Sequence, residues 1–286
     1  GDVDIWMAGK LFENNGLGAF AIQTTSRYID GSPDWGMSSL IADFDSDGIG
    51  DLVHAEADPN AEVWLYLSLG EPKLSQRQRS LMPVGRFGFE NTKHNHMAAS
   101  DLDGDGDQDI VIGQTRAQPY YQGRELQVLI NDGYGNFSDE THARLGDQSQ
   151  YSTGDGFNQG EGFVRLLDVN ADGFIDIFDS RGDAYHPDTA PPSAGASIWL
   201  NDGTGHFVDV PPTVFPVVEP RDLAPQLYEI FTSWLQDSTP IDIDNNGAVD
   251  VVSYVNTNPY PSKRYAESTL YLLTAKKLLD ASDYND

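Results

Sequence analysis

Four nine-residue stretches constrain this chain more than any other feature: DFDSDGIGD at 43, DLDGDGDQD at 101, DVNADGFID at 168 and DIDNNGAVD at 242. Each carries an oxygen side chain at positions one, three, five and nine, and glycine at position six. The sets are Asp43, Asp45, Asp47 and Asp51; Asp101, Asp103, Asp105 and Asp109; Asp168, Asn170, Asp172 and Asp176; and Asp242, Asp244, Asn246 and Asp250. Alternate residues of a tight loop aim their oxygens at one point, and a main-chain carbonyl adds another. A hard cation such as Ca²⁺ takes roughly six to eight such oxygens at about 2.3–2.6 Å. Gly48, Gly106, Gly173 and Gly247 at position six admit the positive φ that bends a loop round an ion.

The flanks separate these loops from the EF-hand, which opens the same way but needs a helix on each side and a bidentate Glu at position twelve. Position twelve here is His54, Ile112, Asp179 or Ser253. Each loop runs into a short apolar or β-branched segment (Leu52-Val53, Ile110 to Ile112, Ile177-Phe178, Val251-Val252), which reads as a buried strand. The loops therefore join strands.

A second element travels with the first. LQVLINDGYGNF (126 to 137) and SIWLNDGTGHF (197 to 207) read as a strand, a glycine turn and a return strand. FENNGLGAF (12 to 20) is a third copy, and the stretches around 66–70 and 271–275 are decayed ones. GDVDIW at the start matches GDQDIV at 106 to 111, so Asp2 and Asp4 form the back half of a fifth loop.

Five units follow, with approximate bounds 1–36, 37–95, 96–161, 162–235 and 236–286. The spacing between them suits one four-stranded sheet per repeat, arranged radially as a single all-β propeller domain. At these residues the chain resembles the FG-GAP/VCBS repeat family of calcium-binding β-propellers, the architecture also found in the head of integrin α subunits. The resemblance implies four to five calcium ions and a place outside the cell. Asn170 and Asn246 replace acids of the family pattern, and seven blades are common in the family where five are visible here, so a larger ring stays open.

Charge narrows the partners. The formal net charge is −28, and the loops hold 17 of the 45 acidic residues. The remaining acids still outnumber the 17 bases, which argues against nucleic acid and against anionic membrane surfaces. No run is apolar enough for a membrane span, and a secretion signal would lie upstream of the first motif. With no cysteine, disulfides, thiol chemistry and cysteine-based zinc sites are excluded.

If the first strand of each repeat runs into the acidic loop, the loops and the glycine turns share one edge of the molecule. The opposite edge then holds the longer connections near 55–61, 114–124, 180–196 and 256–267, the segments where binding residues concentrate. Two are rich in contact residues: Arg116, Tyr120, Tyr121 and Arg124 in one, Tyr260, Lys263, Arg264 and Tyr265 in the other. Trp35, His94, His96, Glu161 and Trp234 precede the first strands and would ring a central channel. His94 and His96, two apart, point the same way if that segment is regularly extended.

The stretch from Asp222 to Leu235 has the apolar spacing of a short helix. Asp183, His186 and Asp188 offer an accessory metal site beside an Arg181-Gly182-Asp183 tripeptide, and Asn136 reads as a structural turn residue within a glycosylation sequon. Three functions fit. The first is a non-enzymatic extracellular module for adhesion to, or assembly with, other surface proteins or glycans. The second is a carbohydrate-active enzyme such as a polysaccharide lyase, and the third a lectin. The half loop at the start and the acidic tail from Asp280 leave three readings, in order: further residues upstream, closure of the ring by the tail, or completion of a neighbouring copy's first blade, which would build a filament through the termini.

Overall fold

The computed structural model of the chain describes residues 4–7, 10–23, 36–56, 62–68, 78–118, 124–148, 161–182, 196–209, 232–243, 245, 249–258 and 267–273. Within them the chain is all-β except for one helix of five residues, and it forms five antiparallel sheets. The first contains β1 (Ile5–Met7), β2 (Lys10–Asn14) and β3 (Phe20–Gln23). The second contains β4 (Gly36–Ala42), β5 (Asp51–Glu56), β6 (Val63–Tyr66) and β7 (Arg79–Leu81). The third contains β8 (Thr92–Ser100), β9 (Asp109–Arg116), β10 (Arg124–Asn131) and β11 (Phe137–Asp139), followed by α1 (Thr141–Leu145). The fourth contains β12 (Glu161–Leu167), β13 (Asp176–Gly182), β14 (Ala196–Asn201) and β15 (Phe207–Asp209). The fifth contains β16 (Thr232–Ile241), β17 (Asp250–Asn258) and β18 (Glu267–Leu273).

Every sheet is a meander in which chain neighbours are also sheet neighbours. Each acidic loop joins the first two strands of its sheet, at β4–β5, β8–β9, β12–β13 and β16–β17. Glycine turns close β2–β3, β10–β11 and β14–β15 at the same edge. First strands pack in succession, β4 against β8 and β8 against β12, while β13 packs against β16.

The third sheet shows why β9 opens with an unbroken apolar run, Ile110 to Ile112. Along β9, Ile110 and Ile112 join a core with Val53, Val63 and Leu65 of the second sheet, while Val111 turns the other way, onto Val164, Ile177 and Trp199 of the fourth. A strand covered on both faces has no solvent side to place polar residues on. Each fully buried aliphatic side chain contributes about 1.5–3 kcal/mol over an exposed one, so this doubly covered sheet anchors its neighbours.

Two expectations are corrected. The end of the helix expected over 222–235 is strand: residues 232–235 belong to β16, paired with β17, because cross-strand pairing of Thr232 to Leu235 overrides an apolar spacing that also fits an extended chain. Residues 222–231 lie outside the described ones. The helix that does form, α1, is a single turn with no side-chain hydrogen bond at its N-cap.

The second correction concerns the histidines. His94 and His96 lie inside β8 rather than before it, and a bulge between them pairs His94 with Gln114 and His96 with Gly113. Consecutive residues of β9 point to opposite faces, so the two imidazoles do too.

Candidate metal centre

The acidic loops bend at position four and, in the three whose position six is among the described residues, there as well. Position four is left-handed in all four, at Ser46 (φ 60°), Gly104 (82°), Ala171 (62°) and Asn245 (58°). Position six is left-handed at Gly48, Gly106 and Gly173. Three of the twists therefore fall on residues with a Cβ, which ordinarily avoid that region. The N–H of position six donates to the first aspartate, from Gly48 to Asp43 Oδ2 at 2.9 Å, Gly106 to Asp101 Oδ2 at 3.1 Å and Gly173 to Asp168 Oδ2 at 2.8 Å.

This winding gathers carboxylates. One oxygen each from Asp43, Asp45 and Asp47, and one each from Asp101, Asp103 and Asp109, lie within 4.8 Å of one another. Burial, and then the neighbouring Asp47 charge, push the Asp45 pKa up. Asp107 is raised to about 6, first by burial and then by Asp105. Two carboxylate oxygens here, Asp103 Oδ1 and Asp107 Oδ1, are buried with no hydrogen-bond partner. Such atoms cost free energy unless a donor or cation meets them. The donors are all oxygen and mostly charged, which fits a hard divalent cation and not a soft one.

The ninth aspartate does a second job. Asp51, Asp109, Asp176 and Asp250 are fully buried. Asp109 accepts from Leu102 N and Asn131 N at 2.9 Å each, Asp176 from Val169 N and Asn201 N, Asp51 from Phe44 N and Ser68 N, and Asp250 from Ile243 N. One carboxylate thus ties the start of a loop to the end of the third strand. Burial outweighs those two bonds and raises Asp51 to about 6 and Asp109 and Asp176 to about 7. In the first repeat Asp4 accepts from Asn14 N at 2.8 Å, the equivalent bond, and Asn14 Oδ1 caps Gly16 and Gly18 as Asn201 Oδ1 caps Gly203 and Gly205.

The turn asparagines reach across sheets. Asn131 Nδ2 donates to the carbonyl of Phe44, position two of the preceding loop, and Asn201 Nδ2 to that of Leu102. Val249 N donates to the carbonyl of Val169, again at position two. The pattern NDGxG reveals the turn, but the distant carbonyl has no signal in sequence.

Other expected residues scatter. Arg116 sits at the end of β9 with its guanidinium 5.0 Å from the Phe87 ring. Arg124 is no surface contact: it is buried, its Nε 2.9 and 3.0 Å from the two carboxylate oxygens of Asp179 in the next sheet. Its guanidinium needs that partner, and position twelve of the fourth repeat supplies it. His96 accepts from Val164 N at 3.3 Å and meets Phe163 edge-on, whereas His94 shares the Gln114 face. Glu161 and Trp234 fall within first strands rather than before them. Asn136 Nδ2 donates to Asp132, as a turn residue should. Asp2, Trp35, Tyr120, Tyr121, Asp183, His186, Asp188, Asp244, Asn246, Tyr260, Lys263, Arg264, Tyr265 and the tail from Asp280 lie outside the described residues.

Residues 101–179 match the family model of the FG-GAP-like repeat. The chain carries an FG-GAP-like repeat. The matched segment runs from the most acidic loop, through β9, β10 and β11, to Asp179 in β13, so it spans the hydrogen-bonded link between two successive sheets. No curated protein matches the chain.

Proposed function

We propose that the chain is a calcium-binding β-propeller of FG-GAP-like repeats that works outside the cell as a non-enzymatic module for recognising, or assembling with, surface proteins or glycans. The observation that carries the calcium reading is the pair of buried, unpartnered carboxylate oxygens of Asp103 and Asp107 in a loop of five aspartates. Asp101, Asp103, Asp105, Asp109 and the equivalent residues of the other loops would hold the ion, which draws mutually repelling carboxylates together and fixes the loop. The side-by-side packing of first strands, with every loop at one edge, supports the propeller. FG-GAP-like repeats typically stand outside the cell, where millimolar calcium suits sites of modest affinity. Among the described residues no helix is long and apolar enough to cross a membrane.

The test is a thermal melt of the purified chain in calcium, in magnesium and in excess EGTA, paired with calorimetric titration. Calcium binds the folded state selectively, so each site filled to about 100 times its Kd adds roughly 2.7 kcal/mol. Melting is expected to rise by many degrees in calcium, with magnesium far weaker. Coincident melting curves in calcium and EGTA would overturn the metal reading. A glycan array and a uronate-lyase assay on the same protein separate recognition from catalysis, the expected outcome being no turnover.

A further inference from the structure

The loop from Asp101 to Asp109 is the most acidic of the four, with five aspartates in nine residues, and one basic side chain reaches into it. Arg144 of α1 donates from Nη2 to Asp103 Oδ2 at 2.9 Å, from Nε to Glu140 Oε2 at 2.9 Å and from Nη1 to the carbonyl of Thr204 at 2.7 Å. Its side chain is only 10 % exposed. Thr204 sits in the turn between β14 and β15, so one guanidinium spans the acidic loop of the third sheet, the helix that follows it and the turn of the fourth sheet. The fit is close, for a methyl group on Gly205 would strike Nη1 and stand 2.8 Å from Asp103 Cβ.

We propose that Arg144 is a resident counter-ion of the 101–109 loop, supplying part of the positive charge that this loop otherwise takes from its metal and holding the seam with the fourth sheet when the metal is absent. The inference rests on the calcium reading above. Asp103 divides its two oxygens between the two cations: Oδ2 lies on Arg144, and Oδ1 is buried and faces no protein donor. A fixed positive charge at hydrogen-bond distance offsets repulsion among the remaining carboxylates. In the metal-free loop that offset is the main one. In the loaded loop the ion already brings two charges, and Arg144 adds less. The 168–176 loop is relieved differently, because its third position is a neutral amide, and Asn170 Nδ2 donates to Asp172 Oδ2 at 2.9 Å.

Arg144→Gln and Arg144→Lys, each melted in saturating calcium and in EGTA, test this. Arg144→Gln is expected to lower Tm in EGTA by roughly 2–4 °C more than in calcium, the shift typical of one such interaction in a chain of this size. Arg144→Lys keeps the charge but cannot span three partners, so its loss is expected to be equal in the two media. Equal losses for Arg144→Gln would reduce Arg144 to a structural bridge. A larger loss in calcium would make it an aid to the metal rather than a substitute, and either result overturns the proposal. If Arg144→Gln does not fold, an excess loss of Arg144→Lys in EGTA overturns it instead. Coincident melts of the unsubstituted chain in calcium and EGTA point to a different failure, that of the calcium reading.

Discussion

At position nine a single carboxylate meets two demands, charge for the loop and two acceptors for backbone N–H groups, and the two come apart under substitution. Asp109→Asn keeps the size but turns one acceptor into a donor facing Leu102 N or Asn131 N. A buried N–H left unsatisfied costs about 1–3 kcal/mol, so this variant is expected to lose that much even in EGTA. Asp105→Asn, at an exposed position, is expected to lose stability in calcium alone; urea melts in both media compare the two. His54 gives a pH signature. It is buried, with Nδ1 2.8 Å from Ser39 Oγ and Nε2 buried without a hydrogen-bond partner, and burial lowers its pKa. The folded state therefore binds this proton less well than the unfolded chain, whose histidine titrates near about 6.5. Its contribution is present above that pH and is lost as pH falls through the lower folded value. In saturating calcium, the stability of the parent relative to His54→Gln is expected to decline as pH drops from about 7 to 5; a constant difference across that range would show that His54 does not titrate there.

Strands and loops differ in how much of them the sequence announces. The acidic loop and the glycine turn are local, because their oxygens, glycines and following apolar runs lie within about a dozen residues, so the order of strands around each is legible from Asp43 to Asp250. Contacts between elements are not. Nothing near Arg124 marks Asp179, 55 residues on, as the group that draws it into the interior, and nothing in TKHNHMAAS marks the bulge that sends His94 and His96 to opposite faces. The one-turn helix after β11 escaped for a related reason: its N-cap residue Glu140 makes no side-chain capping bond, the Thr141 N–H being met by Asp139 Oδ1 instead, and its Leu145 is held by the core between the third and fourth sheets. Arg124 and Asp179 make a direct test of coupling between those sheets. Breaking a buried ion pair by removing one partner costs about 3–5 kcal/mol, whereas replacing both with apolar groups is often nearly neutral. Asp179→Ala is expected to be severely destabilising, and Arg124→Met with Asp179→Leu to recover most of the loss. Additive losses in that cycle would show that the pair contributes nothing as a pair. Gly113→Ala should weaken the same seam, since its Cβ would stand 2.6 Å from Arg124 Nη2.

Across the whole molecule, the acidic loops and the seams between sheets are parts of one system. The carbonyl at position two of each of three loops accepts a hydrogen bond from the following repeat, from Asn131 to Phe44, from Asn201 to Leu102 and from Val249 to Val169. The N–H of the same position-two residue donates to the ninth aspartate of its own loop. An ion that tightens a loop therefore also fixes the residue on which the next sheet is hung. In the calcium reading, chelation should loosen docking between sheets before it unravels the sheets themselves. Strand pairs such as β9 with β10 keep their ladders, while the bonds that cross sheets lose their anchored acceptor. Hydrogen exchange in EGTA is expected to quicken first at the amides of Phe44 and Val169 and at the turn from Asn131, and later at Leu102 and the turn from Asn201, where Arg144 still bridges the sheets, with the centres of β9 and β10 still protected. Asn201→Ala should quicken exchange at Leu102 in the presence of calcium, since it frees the carbonyl of the residue whose N–H is held by Asp109. Uniform loss of protection through β9 and β10 on chelation would mean that the sheets and their seams unfold as one unit, and that the loops act on the fold as a whole rather than through the seams.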